Sequence, residues 1–208
     1  MNIPILYEDD YLMIVDKPAG LLTIPTPKNE SRTLTSILND EEEKKGSSYR
    51  LHPCHRLDRE TSGVIVYAKG KAVQKKMMDV FHQHGVEKRY YALAHGSVEP
   101  REGRITRGIE GRPAVTRYRV VKTHRGFSIV DVTPVTGRTN QIRIHFKSIG
   151  YPLVGETRFV FRRDYELRAK RLCLHASAID FVHPVTGKQL HCEAPLPQDL
   201  VKFLETHQ

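Results

Sequence analysis

Cysteine is scarce in this chain, with Cys54, Cys173 and Cys192 the only three among 208 residues. So few, and an odd number, cannot form a disulfide scaffold; a hydrophobic core must hold the fold, and a reducing cytoplasm is the expected setting. Long apolar runs are missing as well. No window approaches the roughly 18 consecutive apolar residues that a membrane span needs. The opening decapeptide MNIPILYEDD has no basic start followed by an apolar stretch, so it does not read as a signal peptide. No internal repeat and no Ser/Gly linker divides the chain. Ser62 is not enclosed in G-x-S-x-G, and there is no Walker-type phosphate loop. His52, Cys54 and His55, with His175, His183, His191 and Cys192 further on, match neither C-x2-C nor H-x3-5-H spacing, and the zinc deaminase signature is absent. No metal and no cofactor are expected.

Acidic residues are outnumbered, 24 against 33 Lys and Arg, giving a formal net charge of +9. A polyanionic partner follows from that excess, and its distribution sharpens the point. Residues 101–125 carry eight Lys or Arg against two acids, Glu102 and Glu110. Seven of the eight are arginine, which forks onto phosphate and stacks on bases where lysine is a point charge. A solvated basic face is the bland alternative. Charge speaks for nucleic acid and is silent on chemistry.

The pattern along the chain is one of short strands with few helices. Residues 3–18 read as a hairpin turning at Glu8-Asp9-Asp10, and Asp16-Lys17-Pro18-Ala19-Gly20 closes it as a structural turn. Prolines forbid regular structure over 23–29. A short helix is expected around Leu34, Ile37 and Leu38, and the acidic run 40–46 is expected to be solvated loop or helix end. Residues 71–84 form the clearest amphipathic helix, with Gly85 placed to stop it. Strands are predicted over 88–94, 114–122, 127–135, 172–182 and 189–193. A helix opens at Thr136-Gly137-Arg138 and runs to about Ile149, and another follows Pro197. Strands mostly follow one another without crossover helices, which predicts an α+β fold with a mixed, largely antiparallel sheet.

One stretch organises the rest. Residues 53–69 (PCHRLDRETSGVIVYAK) set Asp58 in a turn between Arg56 and Arg59, just ahead of an apolar, β-branched run over 64–68 that reads as a buried strand. A carboxylate at the mouth of a strand is held still by the sheet, and neighbouring cations favour its ionised form. An arbitrary R-x-D-R is nonetheless more often a surface ion-pair cluster, and the residues alone leave both readings open.

His55-Arg56-Leu57-Asp58-x-x-Thr61-Ser62-Gly63 resembles the catalytic signature H-R-L-D-x-x-T-S-G of the RluA-type RNA pseudouridine synthases. Residues 136–145 (TGRTNQIRIH) resemble that family's T-G-R-x-H/N-Q-[IL]-R-x-H motif, and Lys88-Arg89-Tyr90 its K-x-Y motif. Weaker echoes lie at 16–20, at 151–155 and at 172–176, in the family's order, so the resemblance spans nearly the whole chain. It implies a pseudouridine-synthase-like sheet flanked by helices, with a central RNA-binding cleft, formed by a single catalytic domain over 1–208 with no S4-type domain ahead of it. It also implies isomerisation of specific uridines in an RNA stem-loop, ribosomal or transfer, by a cofactor-free monomer. Carried over by residue, Asp58 is the catalytic carboxylate, Arg143 the cation paired with it, and Tyr90 the ring against which the target uracil stacks. Arg56 enters the RNA stack where the base has left it, and Ile142 lines the pocket. Arg138 and Gln141 are expected at the substrate.

Two rivals are weaker. A glycosidase needs a second carboxylate about 5 to 9.5 Å from the first, and Glu60, two residues from Asp58, leaves no room for a sugar between them. A non-catalytic RNA-binding or chaperone module would explain the arginines but has no use for a carboxylate among phosphates.

Overall fold

In a computed structural model, residues 2–27, 30, 32–160, 165 and 167–207 are described. The element order is β1 (Ile5–Glu8), β2 (Leu12–Lys17), α1 (Leu34–Lys44), β3 (Leu51–Pro53), β4 (Ser62–Lys69), α2 (Lys71–His82), β5 (Val86–His95), β6 (Glu102–Ile105), β7 (Thr116–His124), β8 (Phe127–Pro134), α3 (Gln141–Ser148), β9 (Leu174–Val182), β10 (Gln189–Glu193) and α4 (Gln198–Thr206). The fold is α+β with a largely antiparallel sheet. None of these helices is long and apolar enough to cross a membrane. The chain divides into two compact units, Met1–Glu87 with Ala178–Ala194, and Lys88–Ser177 with Pro195–Gln208.

In the first unit β2 pairs antiparallel with both β1 and β4, and β3 pairs with the far end of β4. Ser62 through Ala68 on β4 are all buried, as the β-branched run requires of a strand covered on both faces. Leu12, Ile14, Val64 and Val66 form a core with Met77 of α2, Ile179 and Phe181 of β9, and Cys54 and Cys192. Helix α1 starts with a capping box between Thr33 and Ser36. It also runs further than expected. The acidic stretch over 40–44 is helical, and Glu42 is buried because Lys45, Ser47 and Tyr49 all hydrogen-bond its carboxylate. Burial opposes ionisation of Glu42, yet those donors win and hold its pKa down at about 2. The irregular stretch expected over 23–29 is irregular through residue 27; residues 28 and 29 lie outside the described ones.

In the second unit β8 lies between β5 and β7, and β6 adds to β7, all antiparallel. One sheet face, with Tyr118, Val120, Val130 and Val132, packs on Ile142 and Phe146 of α3; the other, with Leu93, Phe127 and Ile129, packs on Leu200 of α4. Helix α3 begins at Gln141, later than the sequence suggests, because residues 136–140 are spent on a turn. Strands β3 and β6, of three and four residues, are too short to show a pattern in sequence.

Candidate active site

Asp58 and Arg56 belong to the first unit, whereas Tyr90, Arg138, Gln141, Ile142 and Arg143 belong to the second.

The Asp58 loop is gripped at nearly every residue. Cys54 N–H donates to the Val66 carbonyl (2.9 Å), and Val66 N–H donates back to His55 Nε2 (3.1 Å), which fixes the Nδ1–H tautomer for a neutral His55. The hydroxyl of buried Thr23 both donates to the Leu57 carbonyl (3.0 Å) and accepts from Leu57 N–H (3.2 Å). The Arg59 carbonyl accepts from Gly20 N–H (2.7 Å) and from Lys17 Nζ (3.3 Å), and Thr61 N–H closes a turn onto the Asp58 carbonyl (3.1 Å). Fully buried Lys17 also donates to the carbonyls of Leu21 (2.6 Å) and Pro18 (3.0 Å). The turn read as structural in sequence is thus wound around an ammonium group that also holds the residue after Asp58. Asp58 itself is half-buried, and Arg56 is exposed. His55 and Cys54, which prompted a metal reading, are spent on β4 and on the His52 carbonyl.

Arg143 is held differently. It is 4% exposed. Its Nε donates to Glu156 Oε2 (2.7 Å), its Nη2 to Glu156 Oε1 (2.8 Å), and its Nη1 to Asn140 Oδ1 (3.0 Å). Burial works against the charge on Glu156. The forked contact from Arg143, with the amides of Arg158 and Phe159, overcomes it and leaves the carboxyl below its ordinary pKa. The Arg143 guanidinium also lies over the Phe159 ring, 5.2 Å from its centroid. Asn140 sits in the left-handed region (φ 53°, ψ 23°), which asparagine tolerates and which turns its side chain from capping α3 to orienting Arg143.

Glu156 went unrecognised in the sequence, although the echo over 151–155 ends one residue before it. The signal that could have found it is Gly155. Its φ of +79° excludes other residues at low cost, and a Cβ there would overlap the Arg171 carbonyl. Residues 152–154 run beside β5, through His95 N–H to the Pro152 carbonyl (2.9 Å) and Val154 N–H to the Leu93 carbonyl (2.8 Å). Gly155 then turns the chain so that Glu156 meets Arg143.

Gln141 spends its amide on protein groups. Its Oε1 accepts from Thr136 Oγ1 (2.6 Å) and Arg138 N–H (3.0 Å), while Nε2 donates to the Val115 carbonyl (2.9 Å) and Thr116 Oγ1 (3.0 Å). These four bonds fix the Gln141 amide at the start of α3. Thr116 in turn donates to His145 Nδ1 (2.8 Å), and His145 Nε2 donates to the Arg107 carbonyl (2.8 Å). That carbonyl can only accept, so Nε2 carries a proton; burial pushes the pKa of His145 down and so favours the neutral ring with that tautomer. Arg138 Nε donates to the Pro113 carbonyl (3.2 Å). The T-G-R-x-N-Q-I-R-x-H segment therefore ties α3 to residues 107–116. Ile142 is buried against the sheet, and half-buried Tyr90 packs on the same core.

The arginine-rich segment divides in two. Arg107 and Arg112 lie on and beside a tight turn closed by reciprocal bonds between Ile109 and Arg112, with Glu110 and Gly111 both at positive φ as such a turn requires. Arg104 and Arg117 instead face each other across β6 and β7, exposed. They share a sheet face with Arg119 and Asp131, opposite the one that α3 covers.

The sequence model of the RNA pseudouridylate synthase family matches residues 11–148. The chain belongs to that family. It is an RNA pseudouridine synthase, an isomerase that modifies RNA. It is 33% identical over 202 residues to the dual-specificity RNA pseudouridine synthase RluA of Haemophilus influenzae, covering 89% of this chain and 90% of that one. It is 32% identical over 224 residues to the ribosomal large subunit pseudouridine synthase C of Buchnera aphidicola, covering 97% and 70%. Among solved structures, human RNA pseudouridylate synthase domain containing 4 superposes with a TM-score of 0.81 over 97% of this chain and 92% of that one, at 24% identity. That last likeness places the synthase in the same fold.

Proposed function

We propose that this synthase isomerises specific uridines in ribosomal or transfer RNA stem-loops, with Asp58 as the carboxylate that acts on the nucleoside. In this reaction the N1–C1′ bond breaks, the base turns over, and a C5–C1′ bond forms while C5 loses a proton and N1 gains one. The detached base has to be held and water kept out, or hydrolysis competes. Tyr90 supplies the stacking ring, Ile142 the apolar wall, and exposed Arg56 fills the RNA stack after the target base is flipped out, offsetting part of the few kcal/mol of lost stacking. Arg143 is the cation that favours ionised Asp58. Residues 1–208 act as one catalytic domain, without cofactor, as a cytoplasmic monomer. The ribosomal assignment leans on the large-subunit synthase among the relatives.

One observation supports this reading most. Glu156 takes the Nε/Nη2 edge of Arg143, and Asn140 takes one Nη1 proton, so the guanidinium is fixed in a single orientation. A guanidinium so held presents a charge fixed in position and direction, which is what the proposed role of Arg143 requires.

The test is Asp58→Asn. Pseudouridine formation in total RNA, mapped with and without the protein, should vanish in the variant while RNA affinity stays within a few-fold, since phosphate contacts do most of the binding. Turnover above a few per cent of the wild-type value would remove Asp58 from this role.

A further inference from the structure

Lys88 has no part in the chemistry above, and its surroundings are unusual for a lysine. It is half-buried on β5, and none of the described residues gives it a hydrogen bond or an ion pair. Burial pushes its pKa down, and no acid among the described residues offsets it. Desolvating an ammonium without a partner is costly, and proteins ordinarily place a carboxylate or a carbonyl cage around one, as Lys17 shows in the other unit.

The second observation is Gly137. Its φ is not positive, so the backbone does not call for glycine, and a Cβ there would meet only Lys88 Nζ, at 3.7 Å. Gly137 is exposed. A side chain at this position would cost the fold little and would cover the ammonium. What the glycine leaves open is an approach to Lys88 Nζ from solvent.

We propose that Lys88 and Gly137 form a phosphate site for the RNA substrate, with Lys88 Nζ bound to a phosphodiester oxygen of the target nucleotide. Lys88 and Tyr90 are two apart on one strand, so their side chains leave the same face, with Cα atoms roughly 6.7 Å apart. That spacing is close to the span from a nucleobase to its own phosphate. If the uracil lies on Tyr90, the phosphate attached to it falls at Lys88. The site rests on the synthase reading for Tyr90, but the contact itself is a charge pair that binding alone can report.

The experiment is a cycle between side chain and phosphate. Stem-loop RNAs carrying one neutral methylphosphonate, placed in turn at each loop position, are compared on wild-type protein, Lys88→Met, Lys88→Arg and Gly137→Val. Lys88→Met should raise KM and Kd about tenfold on unmodified RNA, the usual worth of a charged hydrogen bond, and lower the salt slope by about 0.7. Gly137→Val should do the same with the ammonium still present, and Lys88→Arg should recover most of the loss. Neutralising the phosphate of the target nucleotide should cost wild-type protein the same factor and Lys88→Met nothing further. The Lys88 pKa, followed by NMR of its side chain, should rise when unmodified RNA is added. Additive losses at every position, or a Lys88 pKa that RNA leaves unmoved, would overturn the site even if turnover is normal. Coupling in Kd without any pseudouridine formed would keep the phosphate contact and discard the role of Tyr90 in chemistry.

Discussion

The Asp58 loop is held by amides, carbonyls, one threonine hydroxyl and the Lys17 ammonium wrapped in carbonyl oxygens, whereas Arg143 is held by a buried carboxylate. The difference decides what a substitution does. A grip spread over many separate hydrogen bonds, loosened at one point, leaves the rest in place. Removing half of a buried ion pair strands a charge, and the penalty falls on the fold as well as on the chemistry.

The sharpest contrast is therefore Arg143→Met against Asp58→Asn. Both should stop turnover, but Arg143→Met should also lose about 3–5 kcal/mol of stability by leaving Glu156 buried and unpaired. Asp58→Asn should unfold at nearly the wild-type urea concentration. Equal midpoints for the two variants would break the comparison. Arg143→Lys keeps the charge without the fork and should fall between them.

Thr23→Val is the matching change on the side of the Asp58 loop. Valine keeps the shape but leaves Leu57 N–H and C=O without their partner in a buried place, at a cost of about 1–3 kcal/mol. Turnover should drop because the residue before Asp58 is no longer held, while RNA affinity stays. An unchanged kcat would mean that Lys17 and Gly20 suffice to position the loop.

Acid should separate the two grips. The folded pKa of Glu156 is depressed, so the stability it contributes is fully present above the ordinary glutamate value of 4.5 and is lost as pH falls through the lower folded value. His145, also depressed, adds stability that is present above 6.5 and is lost below it as the unfolded chain takes up protons first. Urea midpoints taken from pH 7 downward should fall in two stages, and His145→Gln should remove the upper one. A single stage in the wild type would contradict the neutral tautomer assigned to His145.

The smallest effects concern the basic segment. Arg107→Ala with Arg112→Ala should raise KM and flatten the salt dependence, because their turn is tied through His145 and Thr116 to the helix that carries Arg143. Arg104→Ala should leave KM nearly unchanged. It relieves a like-charge pair directly opposite Arg117, so stability should rise by about 0.2–1 kcal/mol. A KM that responds more to Arg104 than to Arg107 would exchange the roles of the two surfaces.

Much of this was legible in sequence where a pattern repeats. The hairpin at the start, the buried β4 and the amphipathic α2 all follow from periodicity and from glycine or proline at their ends. The placing of Asp58 at a strand mouth followed from the same signals. What escaped depends on contacts between distant residues. Glu42 looks solvated in an acidic run until Tyr49 and Ser47 fold over it. Glu156 is one acid among 24 until Gly155 turns it onto Arg143. The bonds around the Gln141 amide come from two separate segments, 115–116 and 136–138. Local patterns carry none of these, because each arises only when two segments meet.

The three buried cysteines offer one more use. Burial pushes the thiols of Cys54 and Cys173 up to about 12, and that of Cys192 upward as well, so at neutral pH hardly any thiolate exists for a reagent to attack. Each thiol becomes reactive only when its surroundings open. Cys54 and Cys192 belong to the core beneath β4, and Cys173 to the one beneath α4. The chain thus carries its own clocks. A pulse of alkylating reagent, followed by peptide masses, times the opening of each unit separately in the unaltered protein. Which clock runs faster in Arg143→Met, and which in Thr23→Val, says whether a disturbance stays in the unit where it was made.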